Sequence, residues 1–186
     1  MSGKLVLIVG PSGVGKDTLL DMAKEYLAED DRFIFPRRYI TRPEDAGGED
    51  HKAITDENFE LKKKNRAFAL SWEAHGLKYG VPISTLRDVA NGNTVIVNVS
   101  RSILQTARDL FPTVQIACIS ARPEVLRQRL LQRGRENSLE IEKRIDRAAA
   151  YSLKDPDILT IDNSGPLDIA VQSFIRLISE PLRASA

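Results

Sequence analysis

Leu5-Val6-Leu7-Ile8-Val9, followed by Gly10-Pro11-Ser12-Gly13-Val14-Gly15-Lys16-Asp17-Thr18, is the stretch that decides the fold. Five apolar residues in a row predict a buried strand, and a helical pattern opens at Lys16. Strand, glycine-rich loop and helix in that order are the setting of the phosphate-binding loop GxxxxGK[ST]. Glycines let backbone N–H groups turn inward and approach phosphate oxygens without a Cβ clash. The helix start adds the positive end of its dipole, and Lys16 can reach the β- and γ-phosphates of a nucleotide. A plain glycine-rich turn is the other reading, and the flanking strand and helix argue against it.

One position departs from the pattern. The motif has Ser or Thr after the lysine, with a hydroxyl that holds Mg²⁺, and this chain has Asp17. A carboxylate ~4 Å from a phosphate charge is repelled by about 4 kcal/mol at an effective dielectric of roughly 20. Mg²⁺ between the charges removes that repulsion. Alternatively, Asp17 points away and favours the helix N-terminus. Thr18, one residue further round, can bind a phosphate or serve as the alternative metal ligand.

The chain has 186 residues, enough for one α/β domain with small inserted lobes. Its 27 basic and 26 acidic residues leave a net charge of +1, which points to neither nucleic acid nor an anionic membrane as partner. A single cysteine, Cys118, excludes an intramolecular disulfide and a cysteine-based zinc site, and its apolar setting in Val114–Ile119 predicts a buried core thiol. No stretch is long enough to span a bilayer and no signal-peptide pattern opens the chain, so the expected location is the cytoplasm. Oligomeric state is left open, a homodimer included.

Strand-like and helix-like segments alternate. Strands are predicted at Leu5–Val9, Phe33–Tyr39, Thr94–Val99, Val114–Ser120 and Ile158–Ile161. Helices are predicted at Lys16–Ala28, Ile83–Ala90, Ser102–Leu110, Glu124–Gln132, Leu139–Tyr151 and Leu167–Ile178. Short apolar strands alternating with helices predict an α/β fold with a doubly wound parallel sheet, ligands lying at the carboxyl ends of the strands. Two regions fall outside the alternation. From Thr41 to about Pro82 the chain is polar and irregular, with one short helix near Asp56–Lys64, and reads as an inserted lobe. Arg133–Ser138 is a charged loop that reads as a mobile lid, with Asn137 or Ser138 as cap of the later helix. The expected division of a single domain is therefore a core (1–40, 83–132, 152–180), a lobe (41–82) and a lid region (133–151).

The second chemical signal lies in the arginines from Arg129 to Arg147. Arg129 and Arg133 are four apart and share a helix face, and Arg144 on the next helix can return to the same place. Phosphoryl transfer needs alignment and neutralisation of charge more than covalent help. Converging arginines supply that, and beside a phosphate loop this outweighs a solvated helix salt-bridged to Glu136, Glu140 and Glu142. Arg127, Arg135 and Arg147 read as ordinary surface residues. Arg42, just past the second strand, can hold a phosphate bidentately, and Tyr79 offers a hydroxyl. Trp72 reads as structural, and His51 and His75 are too isolated to suggest metal binding.

On these landmarks the chain resembles the guanylate kinase-like family of P-loop phosphotransferases over nearly its whole length. They are Gly10–Lys16, Thr41-Arg42-Pro43, Gly48-Glu49-Asp50-His51, Tyr79-Gly80, Arg129-Leu130 with Arg133-Gly134, and Lys143-Arg144. The resemblance implies a P-loop kinase fold whose core holds ATP, whose inserted lobe holds the acceptor and whose short arginine-rich lid closes over both. It implies Lys16, Arg129, Arg133 and Arg144 as catalytic groups, and Asp162-Asn163-Ser164 as the segment contacting adenine. It places Thr41, Arg42, Tyr79 and His51 toward the acceptor, His51 standing where the family has a tyrosine.

The departures narrow the acceptor. Pro43-Glu44-Asp45-Ala46-Gly47 lacks the family's second phosphate-binding arginine, and neither Leu70 nor Ser71 supplies the glutamate that reads guanine. Two strand aspartates appear as Asn98 and Ser100, while Asp17 adds a carboxylate to the loop, as if the metal-directed charge had moved there. Arg-Tyr-Ile-Thr-Arg-Pro from Arg38, Leu-Ser-Trp-Glu-Ala-His-Gly-Leu-Lys-Tyr-Gly from Leu70, and Arg-Gly-Arg-Glu-Asn from Arg133 are similar to one branch of the family. That likeness implies transfer from ATP, with Mg²⁺, to ribose 1,5-bisphosphate, giving 5-phosphoribosyl 1-diphosphate in phosphonate breakdown. The sugar's 5-phosphate then needs a cation, with Arg101 the first candidate and Arg38 and Lys78 behind it. A nucleoside monophosphate kinase and a non-catalytic binding module are the alternatives.

Overall fold

An unbroken apolar strand has to be covered on both faces, and β1 (Lys4–Val9) is buried along all six residues. The computed structural model describes residues 3–46, 49–134, 138–149 and 158–180. After β1 come α1 (Lys16–Tyr26), β2 (Phe33–Ile34), β3 (Tyr39–Ile40), β4 (Lys52–Ala53) and α2 (Asp56–Lys64). Then follow β5 (Phe68–Ala74), β6 (Leu77–Pro82), α3 (Ser84–Ala90), β7 (Thr94–Asn98) and α4 (Leu104–Leu110). The chain continues through β8 (Val114–Ser120), α5 (Pro123–Arg133), α6 (Ser138–Ala149), β9 (Ile158–Asp162) and α7 (Leu167–Ser179). Among the described residues no helix is long and apolar enough to cross a membrane.

These residues form two compact units, and the division runs through β1. The first contains the chain up to Leu7 and Leu27–Val114; the second contains Ile8–Tyr26 and the chain from Gln115. In the first, β2, β7 and β1 are neighbours in that order, β2 and β7 running parallel with Phe33 opposite Thr94. In the second, β1, β8 and β9 are neighbours, β8 and β9 running parallel from Ile116 opposite Ile158 to Ser120 opposite Asp162. There α1 packs against α7, with Leu19 and Ala23 buried on one helix and Ala170, Val171, Phe174 and Ile178 on the other. The expected mostly parallel sheet with flanking helices is what the chain forms.

The inserted lobe is more regular than its composition predicts. It carries its own four-stranded sheet in the order β4-β3-β6-β5, with β5 and β6 an antiparallel hairpin. Its turn is His75-Gly76, with φ of 53° and 74°. Two successive left-handed residues match the right-handed twist of a two-residue hairpin, and glycine takes the second at no steric cost. Leu70 and Trp72, two apart on one face of β5, are buried. α2 covers this sheet. Thr55 caps it by accepting from the Asn58 N–H, acids fill its first turn and lysines its last. Phe59 points inward against the Phe68 ring, 4.8 Å between centroids, and Tyr39 lies 5.5 Å from Phe68.

Two boundary expectations are corrected. Phe33–Tyr39 is not one strand: Pro36, which has no N–H to give a ladder, falls inside it. Phe33–Ile34 and Tyr39–Ile40 instead join different sheets, so the lobe sheet begins at Tyr39 rather than Thr41. The helix expected from Ser102 begins as a 3₁₀ turn at Arg101–Ile103, where Ser100 Oγ accepts from the Ser102 N–H. Asn137 and Tyr151 lie outside the described residues. With Phe59 only 1% exposed, Phe59→Ala should lower stability by about 3–5 kcal/mol, read by urea denaturation through the single tryptophan, Trp72.

Candidate functional site

Phosphate-directed groups gather in each unit separately. In the second unit the loop between β1 and α1 bends through Gly10, Gly13 and Gly15, all at positive φ. A Cβ on Gly10 would stand 2.4 Å from the Ile119 carbonyl oxygen, and one on Gly15 would stand 2.5 Å from Asn163 Nδ2. No side chain fits either place. The Lys16 ammonium folds back over the loop and donates to the Gly10 and Pro11 carbonyls at 2.8 and 2.9 Å.

Three residues distant in sequence hold this loop. Asn163, just past β9, donates through Nδ2 to the Val14 carbonyl at 2.7 Å, and Arg129 of α5 donates to the same oxygen at 3.4 Å. Arg144 of α6 donates to Ser12 Oγ at 2.9 Å. A carbonyl turned toward a phosphate would repel it, and two donors occupy Val14's. Arg129 and Arg144 thus both reach this loop, at Val14 and at Ser12. Arg133 ends α5, but its side chain, residues 135–137 and residues 150–151 lie outside what is described. Arg127, read as a surface residue, makes a two-pronged ion pair with Glu142 that ties α5 to α6. Asn163 is 1% exposed. Its amide nitrogen serves the loop rather than a base, while its Oδ1 is buried without a hydrogen-bond partner. Asp17 and Thr18 are exposed in the first turn of α1.

Cys118 on β8 is buried, as expected, and burial pushes its thiol up, the nearby Lys16 charge opposing. It is a core group.

In the first unit the centre is Arg42. Its Nε and Nη2 are buried and have no hydrogen-bond partner. Each buried donor left unpaired costs about 1–3 kcal/mol, more for a charged group, so a fold that keeps such a pair of donors offers an anion site. Thr41 fixes the approach: it donates its N–H to the Lys78 carbonyl and accepts the Lys78 N–H on Oγ1. Tyr79 lies parallel to Trp72, ring centroids 5.2 Å apart. Partial burial raises the Tyr79 phenol above its usual range, with Arg38 and Arg42 pulling it down and Glu49 pushing it up. The phenol therefore remains a donor at neutral pH.

Three expected acceptor residues stand differently. Lys78 turns to α2 and pairs with Glu60 at 2.8 Å and Asp56 at 3.3 Å, chiefly the Glu60 hydrogen bond raising its pKa. Two carboxylates already neutralise it, which disfavours a phosphate there. His51 is 1% exposed, with Nδ1 2.9 Å from the Glu49 carbonyl and Nε2 3.1 Å from the Arg42 carbonyl. Its ring closes a loop and has no edge left for substrate. Arg38 is buried, ion-paired with Glu49, and donates to the Asn98 carbonyl. Its guanidinium lies 5.3 Å from the Tyr79 ring and 5.6 Å from Trp72. Arg101 is exposed at the head of its 3₁₀ turn. Sequence reasoning gave Glu49 no role. The signal was an arginine, Arg38, in an apolar stretch that would need a counter-charge.

The guanylate kinase family model matches residues 2–179. The chain is 42% identical over 181 residues to the ribose 1,5-bisphosphate phosphokinase PhnN of Agrobacterium fabrum, covering 97% of this chain and 99% of that one. It is 50% identical over 149 residues to the protein of the same name from Acidiphilium cryptum, covering 80% and 79%. A guanylate kinase structure from Anaplasma phagocytophilum matches with a TM-score of 0.64 at 20% identity, over 94% of this chain and 85% of that one. A gluconokinase from Sinorhizobium meliloti matches at 0.52 and 17%, over 96% and 92%.

Arg42→Met removes the two orphaned donors at similar length. It should leave the protein as stable or up to about 1–3 kcal/mol more stable. With the nucleotide loop saturated by a non-hydrolysable ATP analogue, inorganic phosphate should raise the parent's melting temperature and leave that of Arg42→Met unmoved.

Proposed function

The chain belongs to the guanylate kinase family, and we propose that within it the chain transfers the γ-phosphoryl group of ATP to the 1-phosphate of ribose 1,5-bisphosphate, giving 5-phosphoribosyl 1-diphosphate and ADP. The names and near full-length identity of its relatives support the substrate. The observation that carries the reading is Arg42, whose buried unpaired donors suit a phosphate. Near positions 70 and 71, where resemblance puts a guanine-reading glutamate, stand Leu70, buried at 2%, and Ser71, neither of them acidic. Guanine N–H groups left unpaired there would each cost about 1–3 kcal/mol, which disfavours the nucleoside monophosphate kinase reading. Lys16 and the loop-bound Arg129 and Arg144 disfavour a non-catalytic module.

The acceptor oxygen is already an anion, so no general base is needed. An oxygen of the 1-phosphate attacks the γ-phosphorus in line, the bond to the β,γ-bridging oxygen breaks, and that oxygen leaves as part of ADP. Lys16 and the loop N–H groups, Gly10 to Gly15, hold the donor phosphates. Arg129, Arg133 and Arg144 offset charge on the moving group, a role worth about 10³–10⁵ in rate for a well-placed arginine. Arg42 and Tyr79 hold the acceptor phosphate, and Arg101 is the cation assigned to the 5-phosphate. Asn163 Oδ1 is left to accept from the adenine amino group.

Magnesium fits the residues present. Asp17 and Thr18 are exposed oxygen donors beside the phosphate loop, the hard ligand type the ion prefers. Mg²⁺ is commonly held by one or two carboxylate or hydroxyl groups together with substrate phosphates. When bound, Mg²⁺ would neutralise charge on the donor phosphates, and Asp17 and Thr18 would hold it.

With Mg²⁺-ATP, ribose 1,5-bisphosphate should be phosphorylated with kcat/KM about 100-fold or more above GMP, the products identified by mass. Efficient GDP formation would overturn the substrate, and inactivity with both acceptors would turn the reading toward a binding module.

A further inference from the structure

The proposed acceptor has two phosphates and two hydroxyls, at C2 and C3. Cations account for the phosphates. The hydroxyls need an acceptor that tolerates a nearby anion, and the first unit contains one beside Arg42.

Glu49 uses one carboxylate oxygen, Oε2, to pair with Arg38. Its Oε1 accepts no hydrogen bond among the described residues, the hydrogen bond from Arg38 going to Oε2. The exposures of the two side chains differ: 7% for Arg38 and 21% for Glu49. The arginine is sealed in and the glutamate side chain keeps part of its surface exposed. The ion pair is net neutral, so the free oxygen accepts without adding net negative charge where a phosphate must bind. Placement ties it to Arg42. One buried imidazole, His51, meets the carbonyl oxygens of both Glu49 and Arg42, holding these two backbone positions together. The Arg38 guanidinium lies 5.3 Å from the Tyr79 ring, and the Tyr79 phenol is pulled down by Arg38 and Arg42 and pushed up by Glu49.

We propose that Glu49 is a specificity-determining residue of the acceptor side: its Oε1 accepts a hydrogen bond from the C2 or C3 hydroxyl of the sugar while Arg42 holds a phosphate. This rests on the ribose 1,5-bisphosphate reading above. It makes the pocket select a polyhydroxylated phosphate and discriminate against an acceptor lacking the hydroxyl. Arg38 and His51 are positioning residues for that oxygen and for Arg42.

The test compares kcat/KM for ribose 1,5-bisphosphate with that for its 2-deoxy and 3-deoxy analogues, in the parent and in Glu49→Gln. The parent should reject one of the deoxy analogues by about 10- to 100-fold, the range of a hydrogen bond to a charged group. In Glu49→Gln that ratio should shrink toward one. Because Glu49→Gln leaves Arg38 buried without its counter-charge, the double variant R38M/E49M, which removes the pair together, is read for the same ratio and should also approach one. If both variants lose activity with all acceptors equally and the ratio stays at the parent value, Glu49 is only structural and the proposal falls. If the parent itself transfers nothing to the ribose compound, the substrate reading falls and this proposal with it. Transfer with an unchanged ratio overturns this proposal alone.

Discussion

Hydrogen-bond donors held away from water before any phosphate arrives are what this architecture is organised around. Arg42 is the clearest instance, with two guanidinium N–H directions buried and unpaired. Such an arrangement is unfavourable unless its surroundings over-determine it. Here they do. Thr41 is stitched to the hairpin strand β6, His51 meets the carbonyl of Arg42, and the neighbouring cation Arg38 is neutralised by Glu49. Pairing Arg38 internally leaves Arg42 as the guanidinium of that cluster with donors still to give.

The phosphate loop follows the same logic with backbone groups. Its glycines permit the bend, but a permissive loop is not a fixed one. Fixing comes from Asn163 and Arg129 on the Val14 carbonyl and from Arg144 on Ser12. These residues come from α5, α6 and the loop after β9, far along the chain, so the loop's shape is a tertiary property. The arginines have two roles there. They brace the loop, and they are the charges the proposed chemistry requires. A substitution at Arg129 or Arg144 thus acts on loop geometry and on charge together, which a single activity measurement does not separate.

Much of this was legible in the sequence, and the failures have physical causes. The phosphate loop and the alternation of apolar strands with helices are local patterns, and they appear where expected. α2 matched its expected bounds because its cap and charges are written in order: Thr55, then Asp56 and Glu57, then three lysines. The hairpin β5–β6 was missed because its aromatic residues were read for chemistry, whereas Leu70 and Trp72 alternate as a strand does and His75-Gly76 fits a two-residue turn. The partners of Lys78 were not read from the sequence, yet Asp56 and Glu60 are four apart on one helix face and both pair with it. The role of His51 was not readable, because it depends on two carbonyls that the fold alone brings together.

The central claim is that this chain works by charge and position, without a protein base or nucleophile, because a phosphate oxygen needs neither. The stereochemistry at the transferred phosphorus tests it most directly. With ATP made chiral at the γ-phosphorus by oxygen isotopes, a single in-line transfer to ribose 1,5-bisphosphate inverts the configuration, and inversion is the predicted result. Retention would mean two displacements through a phosphorylated side chain and would contradict the account.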